Sequence, residues 1–300
     1  MKELNIGMIG LDTSHVIAFT KLLHNQSGKY HVKGGKVVAA FPDGSPDFAL
    51  SMSRLDKFTL ELKQTYGVKI VDSMKAVVEE SDAILIESVD GAQHLEQLQK
   101  IASCRKPIFI DKPLSLSSQE ADVMIRLADK YETPIMSSSA LRFAEGLQAV
   151  IHAFPDRHVV GADCFGPMYL EEEQSGFFWY GIHTIEMLYS LLGAGIKEVT
   201  TESNSDYDVI TGVWKDGRIG TVRGNRVGNE QFGAVIHYDD GSEYVAIKSS
   251  DKPFYASLLE EIICFFRDGN SRVHLQETRE MILFIEAANK SKQTGEKQYV

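Results

Sequence analysis

Cysteine is scarce in this 300-residue chain: Cys104, Cys164 and Cys264 stand far apart and in no Cys-x-x-Cys spacing. A disulfide framework and a cysteine zinc site are therefore excluded, and buried free thiols are expected. Basic residues are outnumbered, 31 Lys and Arg against 42 Asp and Glu, for a formal charge of -11. Nucleic acid and anionic membrane both require basic surface, so neither is an expected partner. Long apolar runs are missing as well, and none approaches the ~18 residues of a membrane span. The first apolar segment, Leu4 to Ile9, runs at once into turn residues, unlike a signal peptide. A cytoplasmic address is the resulting expectation. Repeats and low-complexity tracts are absent. The composition that remains, 43% hydrophobic over 300 residues, suffices for two globular domains.

From residue 4 to about 138 short apolar runs alternate with helical segments. The runs are Leu4–Ile9, Lys36–Phe41, Val68–Val71, Ala83–Ile86, Pro107–Ile110 and Pro134–Ser137. Between them lie helical patterns at Ser14–Asn25, Arg54–Tyr66, Ser73–Glu80, Ala92–Ser103 and Ser117–Tyr131. Strand alternating with helix implies parallel strands and right-handed crossovers, so residues 1–139 read as a Rossmann-type, doubly wound dinucleotide-binding domain. After a helical Ala140–Ala153 the pattern changes to longer strands joined by Lys215-Asp216-Gly217 and Asp239-Asp240-Gly241, both hairpin signals. Residues 140–300 therefore read as a substrate-binding and oligomerisation domain, α+β, with an open mixed or antiparallel sheet. Helices are expected at Gly181–Leu192, Ala256–Arg267 and Gln276–Gln293, and the last strand is read as Ser242–Ser249. In Val209–Trp214, alternation gives both faces apolar residues, so helices should cover one face and a second subunit the other.

Doubly wound sheets bind ligands beyond the carboxyl ends of their strands, with pyrophosphate on the first turn. That turn reads Gly10-Leu11-Asp12-Thr13-Ser14-His15. Against the pattern G-x-G-x-x-G only Gly10 survives, with Asp12 and His15 at the other two glycine positions. A carboxylate facing phosphate adds repulsion; as a helix cap it does not. The sequence leaves both open for Asp12. The acid that would receive ribose hydroxyls is replaced by Pro42, and Asp43 reaches the ribose only if its turn folds back. NAD and NADP are not distinguished.

The segment Lys106-Pro107-Ile108-Phe109-Ile110-Asp111-Lys112-Pro113-Leu114, with Glu87 to His94 before it, resembles the Gfo/Idh/MocA family of nicotinamide-dependent sugar and inositol dehydrogenases. Arg142-Phe143, Gly181-Ile182-His183 with Glu186, and Glu286-Ala287-Ala288 extend the resemblance over nearly the whole chain. The resemblance implies NAD or NADP as cofactor, a sugar or polyol substrate, and homodimers or homotetramers. It makes Lys112 the residue approaching substrate and nicotinamide, and an ammonium there suits the charge that builds on the alcohol oxygen. It makes His183 the general base, with Tyr180 as a substitute proton carrier. The cofactor set it implies is Gly10, Leu11, Asp12, Thr13, Ser14, His15, Asp43, Ser88, His94, Asp111, Lys112 and Pro113; the substrate set is Arg142, Trp179 and His183.

Three features depart from the family pattern. Asp111 stands for Glu, Trp179 replaces the aspartate that orients the histidine, and Glu87 and Asp90 join Asp12 and Asp111 around one crevice. The run Phe177-Phe178-Trp179-Tyr180 is either a sugar-binding wall or core. Asp12, His15, Glu87, Asp111 and His183 are all metal-ligand types, so a metal-assisted lyase or hydrolase is a third reading, yet no His-x-x-His or Glu-x-x-His spacing unites them and no metal is expected. A dehydrogenase is the leading reading. A non-redox or non-catalytic binding or regulatory descendant with an altered nucleotide site is the second.

Overall fold

The computed structural model describes residues 2–248 and 252–300. The chain divides into two compact units: Met1–Ser138 with Tyr255–Leu275, and Ser139–Phe254 with Gln276–Val300.

The first unit is built on six parallel strands, β1 (Leu4–Ile9), β2 (Gly35–Phe41), β3 (Lys69–Ile70), β4 (Ala83–Ile86), β5 (Ile108–Ile110) and β6 (Ile135–Ser137). Their order, β3-β2-β1-β4-β5-β6, is doubly wound with the reversal between β1 and β4. Helices α1 (His15–His24), α2 (Ala49–Tyr66), α3 (Met74–Glu80), α4 (His94–Ile101) and α5 (Ser118–Tyr131) provide the connections. The central strands carry continuous apolar runs because a parallel sheet is covered on both faces: Ile6, Met8, Leu85, Ile86, Phe109 and Ile110 are all fully buried. Ser117 caps α5, accepting the Glu120 N–H at 3.1 Å, a local start signal already visible in Ser-x-x-Glu.

The sequence reading assigns everything after residue 139 to the second domain, whereas Tyr255–Leu275 group with the first unit. The reason is packing. Helix α8 (Phe254–Asp268) places Ile263 and Arg267 against Gly34 and Gly35, and Tyr255 sits edge-on to Phe19 at 6.0 Å. Gly34 has φ +120°, and a Cβ there would meet the Arg267 guanidinium at 2.6 Å, so this close approach requires glycine. Cys264 on the same helix is exposed, which corrects the expectation of three buried thiols; Cys164 is buried, and burial raises its pKa.

In the second unit α6 (Glu145–Ala153) precedes β7 (Val159–Pro167), α7 (Gly181–Leu192), β8 (Ile196–Ser203), β9 (Tyr207–Trp214), β10 (Ile219–Asn225), β11 (Gly233–Tyr238), β12 (Gly241–Ala246), α9 (Leu275–Thr294) and β13 (Gln298–Tyr299). The sheet order is β12-β11-β7-β10-β9-β8-β13. β7 and β10 are parallel and every other pair is antiparallel, so the sheet is mixed. Both Asp-Gly turns make the hairpins expected of them, β9 to β10 and β11 to β12. The sequence-read strand end at Ser249 lies outside the described residues.

Alternation along β9 divides its faces cleanly. Asp208, Ile210, Gly212 and Trp214 are buried while Tyr207, Val209, Thr211 and Val213 are partly exposed. Trp214, Tyr189 of α7 and Phe284 of α9 form an aromatic cluster on the covered face, with centroids 5.8 to 6.5 Å apart. The other face carries exposed Ile219 and Tyr244. Among the described residues no helix is long and apolar enough to cross a membrane.

Candidate functional site

At the carboxyl ends of β1, β4 and β5 the backbone is tightly fixed. The Glu87 N–H donates to Ile9 O and the Asp111 N–H to Ile86 O, each at 2.8 Å, so these residues leave adjacent strands in register. Gly10, at φ +80°, turns the chain out of β1 in a conformation that favours glycine, and a Cβ there would meet Ser88 Oγ at 2.2 Å.

The four carboxylates of this crevice are all buried, and they differ in how they are satisfied. Asp12 points inward: its oxygens accept from Ser51 Oγ at 2.6 Å and from the Val89 N–H at 2.9 Å. It neither caps α1 nor projects from the turn, and burial, opposed by those two bonds, raises its pKa. Asp90 accepts from Ser45 Oγ at 2.8 Å and from the Ala92 N–H at 3.1 Å. Asp111 lies 3.0 Å from His15 Nδ1 and 4.0 Å from Lys112 Nζ. Glu87 receives no hydrogen bond at either oxygen, and His15 Nδ1 stands 3.6 Å away.

His15, the first residue of α1, is turned between these two acids, and its Nε2 lies 3.1 Å from Tyr255 Oη. Burial works to lower the imidazole pKa, but the neighbouring charge of Asp111 and the Tyr255 and Glu87 contacts hold it well above the ordinary histidine value. Burial likewise opposes ionisation of Asp111, yet His15 and Lys112 outweigh it and keep that carboxyl below the usual range. For Glu87 burial wins, and its carboxyl is pushed up to about 7.

The remaining cofactor-set residues have polar groups tied to the fold. His94 is fully buried, with Nε2 2.9 Å from Ser88 O and Nδ1 2.9 Å from Pro113 O, so it joins two strand-end loops. Ser88 Oγ accepts from Gln97 at 2.6 Å, and the Thr13 hydroxyl accepts the His15 N–H at 3.0 Å. Leu11 is buried and donates its N–H to Asp43 O, which folds the Asp43 turn back onto the first loop; Ser14 is exposed at the start of α1. The Asp43 carboxylate accepts from Gln97 Nε2 at 2.9 Å. The Lys112–Pro113 peptide is cis.

A nicotinamide dinucleotide is compatible with this turn on one specific count. Because Asp12 is held inward by Ser51 and Val89, its charge leaves the outer side of the Gly10–His15 loop, where phosphates would otherwise be repelled. Gly10, the α1 N-terminus and Asp43 are the groups that would hold it.

In the second unit His183 lies on the first turn of α7, and its Nδ1 is 2.7 Å from Ser139 Oγ. Sequence reasoning missed Ser139. Its only signal was the serine triplet Ser137-Ser138-Ser139 at the end of the last strand of the first unit. Ser139 is fixed in turn: its N–H donates to Glu186 Oε2 at 2.9 Å, and Glu186 Oε1 accepts from Arg142 Nε at 2.9 Å. Arg142 also bonds Glu277 at 2.5 Å. The aromatic run divides: Phe177 and Phe178 are core, while Trp179 and Tyr180 are half-buried, with Tyr180 edge-on to His183 at 5.2 Å. Phe232, 6.2 Å from the His183 ring, lines an open cavity of about 650 Å³ with Lys248, Lys252 and Phe254. Lys112 stands in the first unit, and His183, Tyr180, Trp179 and Arg142 in the second.

Residues 4–138 match the GFO_IDH_MocA family model, an oxidoreductase family with an NAD-binding Rossmann fold. Among curated proteins none matches this chain. Solved structures resemble it over its whole length. GenD2 from gentamicin A biosynthesis, in complex with NAD, has 13% identity and a TM-score of 0.78, covering 100% of this chain and 97% of that one. Myo-inositol dehydrogenase from Lactobacillus casei, in complex with NAD(H) and myo-inositol, has 16% identity, a TM-score of 0.77 and coverage of 100% and 98%. Myo-inositol 2-dehydrogenase from Lactobacillus plantarum has 17% identity, a TM-score of 0.78 and full coverage of both chains. At these identities the likeness speaks for the fold.

Proposed function

We propose, because residues 4–138 match the family model of the Gfo/Idh/MocA oxidoreductases, that the protein is a cytoplasmic, nicotinamide-dependent dehydrogenase acting on a sugar, inositol or related polyol. The observation that carries this reading is Asp12. The residue that most disturbs the glycine fingerprint has its carboxylate bonded inward by Ser51 Oγ and the Val89 N–H. The folded-back Asp43 supports NAD over NADP, since a carboxylate at the ribose accepts hydroxyls and repels a 2′-phosphate.

When bound, the nicotinamide supplies the hydride acceptor. Lys112 then stabilises the charge developing on the alcohol oxygen. His183 receives the proton: with Nδ1–H donating to Ser139 Oγ, Nε2 keeps the lone pair that a base needs. Tyr180 and Trp179 offer an apolar wall with polar tips to the polyol. Arg142 acts on this corner through Glu186 and Ser139 as a positioning residue. The half-exposed face of the second sheet, with Ile219 and Tyr244, supports assembly into homodimers or homotetramers.

Calorimetric titration with NAD, NADH, NADP and NADPH in EDTA tests the reading. Micromolar binding with NAD ahead of NADP is expected, followed by NAD reduction in a polyol screen. No binding at millimolar nucleotide would overturn it in favour of a non-redox binding protein.

A further inference from the structure

The strand-end crevice of the first unit holds an unusual combination. Four buried side-chain atoms make no well-formed hydrogen bond there: His15 Nδ1, both carboxylate oxygens of Glu87, and Asp111 Oδ2, the imidazole nitrogen meeting Asp111 and Glu87 only as ion pairs at 3.0 and 3.6 Å. Buried polar groups are ordinarily paired, because leaving one unsatisfied forfeits its hydration without replacement, at greater cost when it is charged. These atoms are gathered rather than scattered: the ligand-type atoms of His15, Glu87 and Asp111 all lie within 4.8 Å of one another. They come from the start of α1, which follows β1, and from the ends of β4 and β5, and the register of these three strands is fixed by main-chain bonds.

From this geometry we propose a divalent-cation site, formed by His15 Nδ1, Glu87 and Asp111, for a first-row transition ion. Two ligands on one such ion, each ~2.0–2.2 Å from it, stand ~3–4 Å apart. The His15 to Asp111 and His15 to Glu87 separations of 3.0 and 3.6 Å already satisfy that spacing. One imidazole with two carboxylates suits Mn²⁺, Fe²⁺ or Zn²⁺ better than Ca²⁺ or Mg²⁺, which take oxygen alone. The outer contact is also in place. Tyr255 Oη, 3.1 Å from Nε2, accepts the proton that this nitrogen carries when Nδ1 binds metal. Three protein ligands leave positions for water or a ligand oxygen. Lys112, 4.0 Å from Asp111, is the cationic group that opposes the ion. The site departs from the sequence expectation of no metal because its ligands are 72 and 24 residues apart (87 − 15 and 111 − 87), which no short spacing motif captures. It does not rest on the dehydrogenase reading.

The test uses untagged, full-length protein stripped with EDTA, dialysed, and titrated calorimetrically with MnCl₂ and ZnCl₂. One ion per chain at micromolar or tighter affinity is expected, weakened at least 10-fold in Glu87→Gln and tightened in Lys112→Ala. Spin-echo modulation from an imidazole nitrogen is expected in Mn²⁺-loaded wild type, a readout that needs no variant. Absence of uptake by wild type, of that nitrogen coupling, or of any loss in Glu87→Gln would overturn the site and leave His15 itself as the counter-ion of the two acids. Nucleotide titration in EDTA reports on the dehydrogenase reading separately.

Discussion

The two candidate regions hold their polar groups in opposite ways. In the second unit the charged groups and His183 are joined in one chain of bonds: Arg142 bonds Glu186 and Glu277, Glu186 bonds Ser139, and Ser139 bonds His183. In the first unit Glu87 and His15 Nδ1 are just as deeply placed, yet they meet each other and Asp111 only as ion pairs, with no well-formed hydrogen bond. A satisfied chain orients a side chain for chemistry carried out elsewhere, whereas an unsatisfied cluster keeps its binding capacity for something not yet bound.

The comparison breaks most sharply at Lys112. Its removal takes away an ammonium 4.0 Å from Asp111. With the polyol identified by the nucleotide-coupled screen, Lys112→Ala is expected to lower kcat at least ~100-fold while circular dichroism stays native. Near-normal turnover would remove Lys112 from the chemistry.

Arg142→Ala probes the satisfied side. Glu186 is buried and would lose its charged partner, so a destabilisation of about 3 kcal/mol is expected from urea unfolding. A loss under ~1 kcal/mol would mean that the network is not organised through this guanidinium.

Legibility in the sequence followed the same division. The doubly wound unit was readable because parallel strands are apolar throughout and their helices carry plain start signals, as at Ser117. The two Asp-Gly hairpins were readable for equally local reasons. Central β7 was missed: Gly161, Asp163 and Gly166 interrupt its apolar pattern, and its parallel pairing with β10 is non-local. The return of α8 to the first unit depends on Ile263 and Arg267 meeting Gly34 and Gly35 more than 200 residues earlier, which periodicity cannot express. The candidate site divides similarly. Lys112 and His183 carry recognisable neighbours in sequence, but the inward turn of Asp12 and the partnership of Ser139 with His183 exist only in three dimensions.

Glu87 sharpens the comparison through pH. An unfolded glutamate titrates near ~4.3, whereas burial pushes the folded Glu87 carboxyl up to about 7. Below the lower value both states are protonated and the burial carries no charge penalty. As pH rises through the window up to about 7, the unfolded chain releases its proton first, so Glu87 makes the folded state progressively less stable. Glu87→Gln removes that decline. In EDTA, its stability relative to wild type is expected to improve from pH 5 to pH 8 by about 1–3 kcal/mol. An unchanged difference between the two pH values would mean that Glu87 titrates normally.

The smallest effect is expected at Ser139. Its hydroxyl positions His183 without touching the reacting atoms, so Ser139→Ala should reduce kcat only ~10-fold, about 1.4 kcal/mol. KM should stay within about twofold, since the change falls on the proton acceptor rather than on ground-state binding. Aspartate is the informative replacement. A carboxylate at 139, close to Nδ1, would favour the charged imidazole and raise the kinetic pKa of the base. Ser139→Asp should therefore shift the ascending limb of the kcat/KM profile to higher pH, while Ser139→Ala lowers its height. If both variants lower activity with no displacement of that limb, Ser139 supports the fold of this corner and does not tune the histidine.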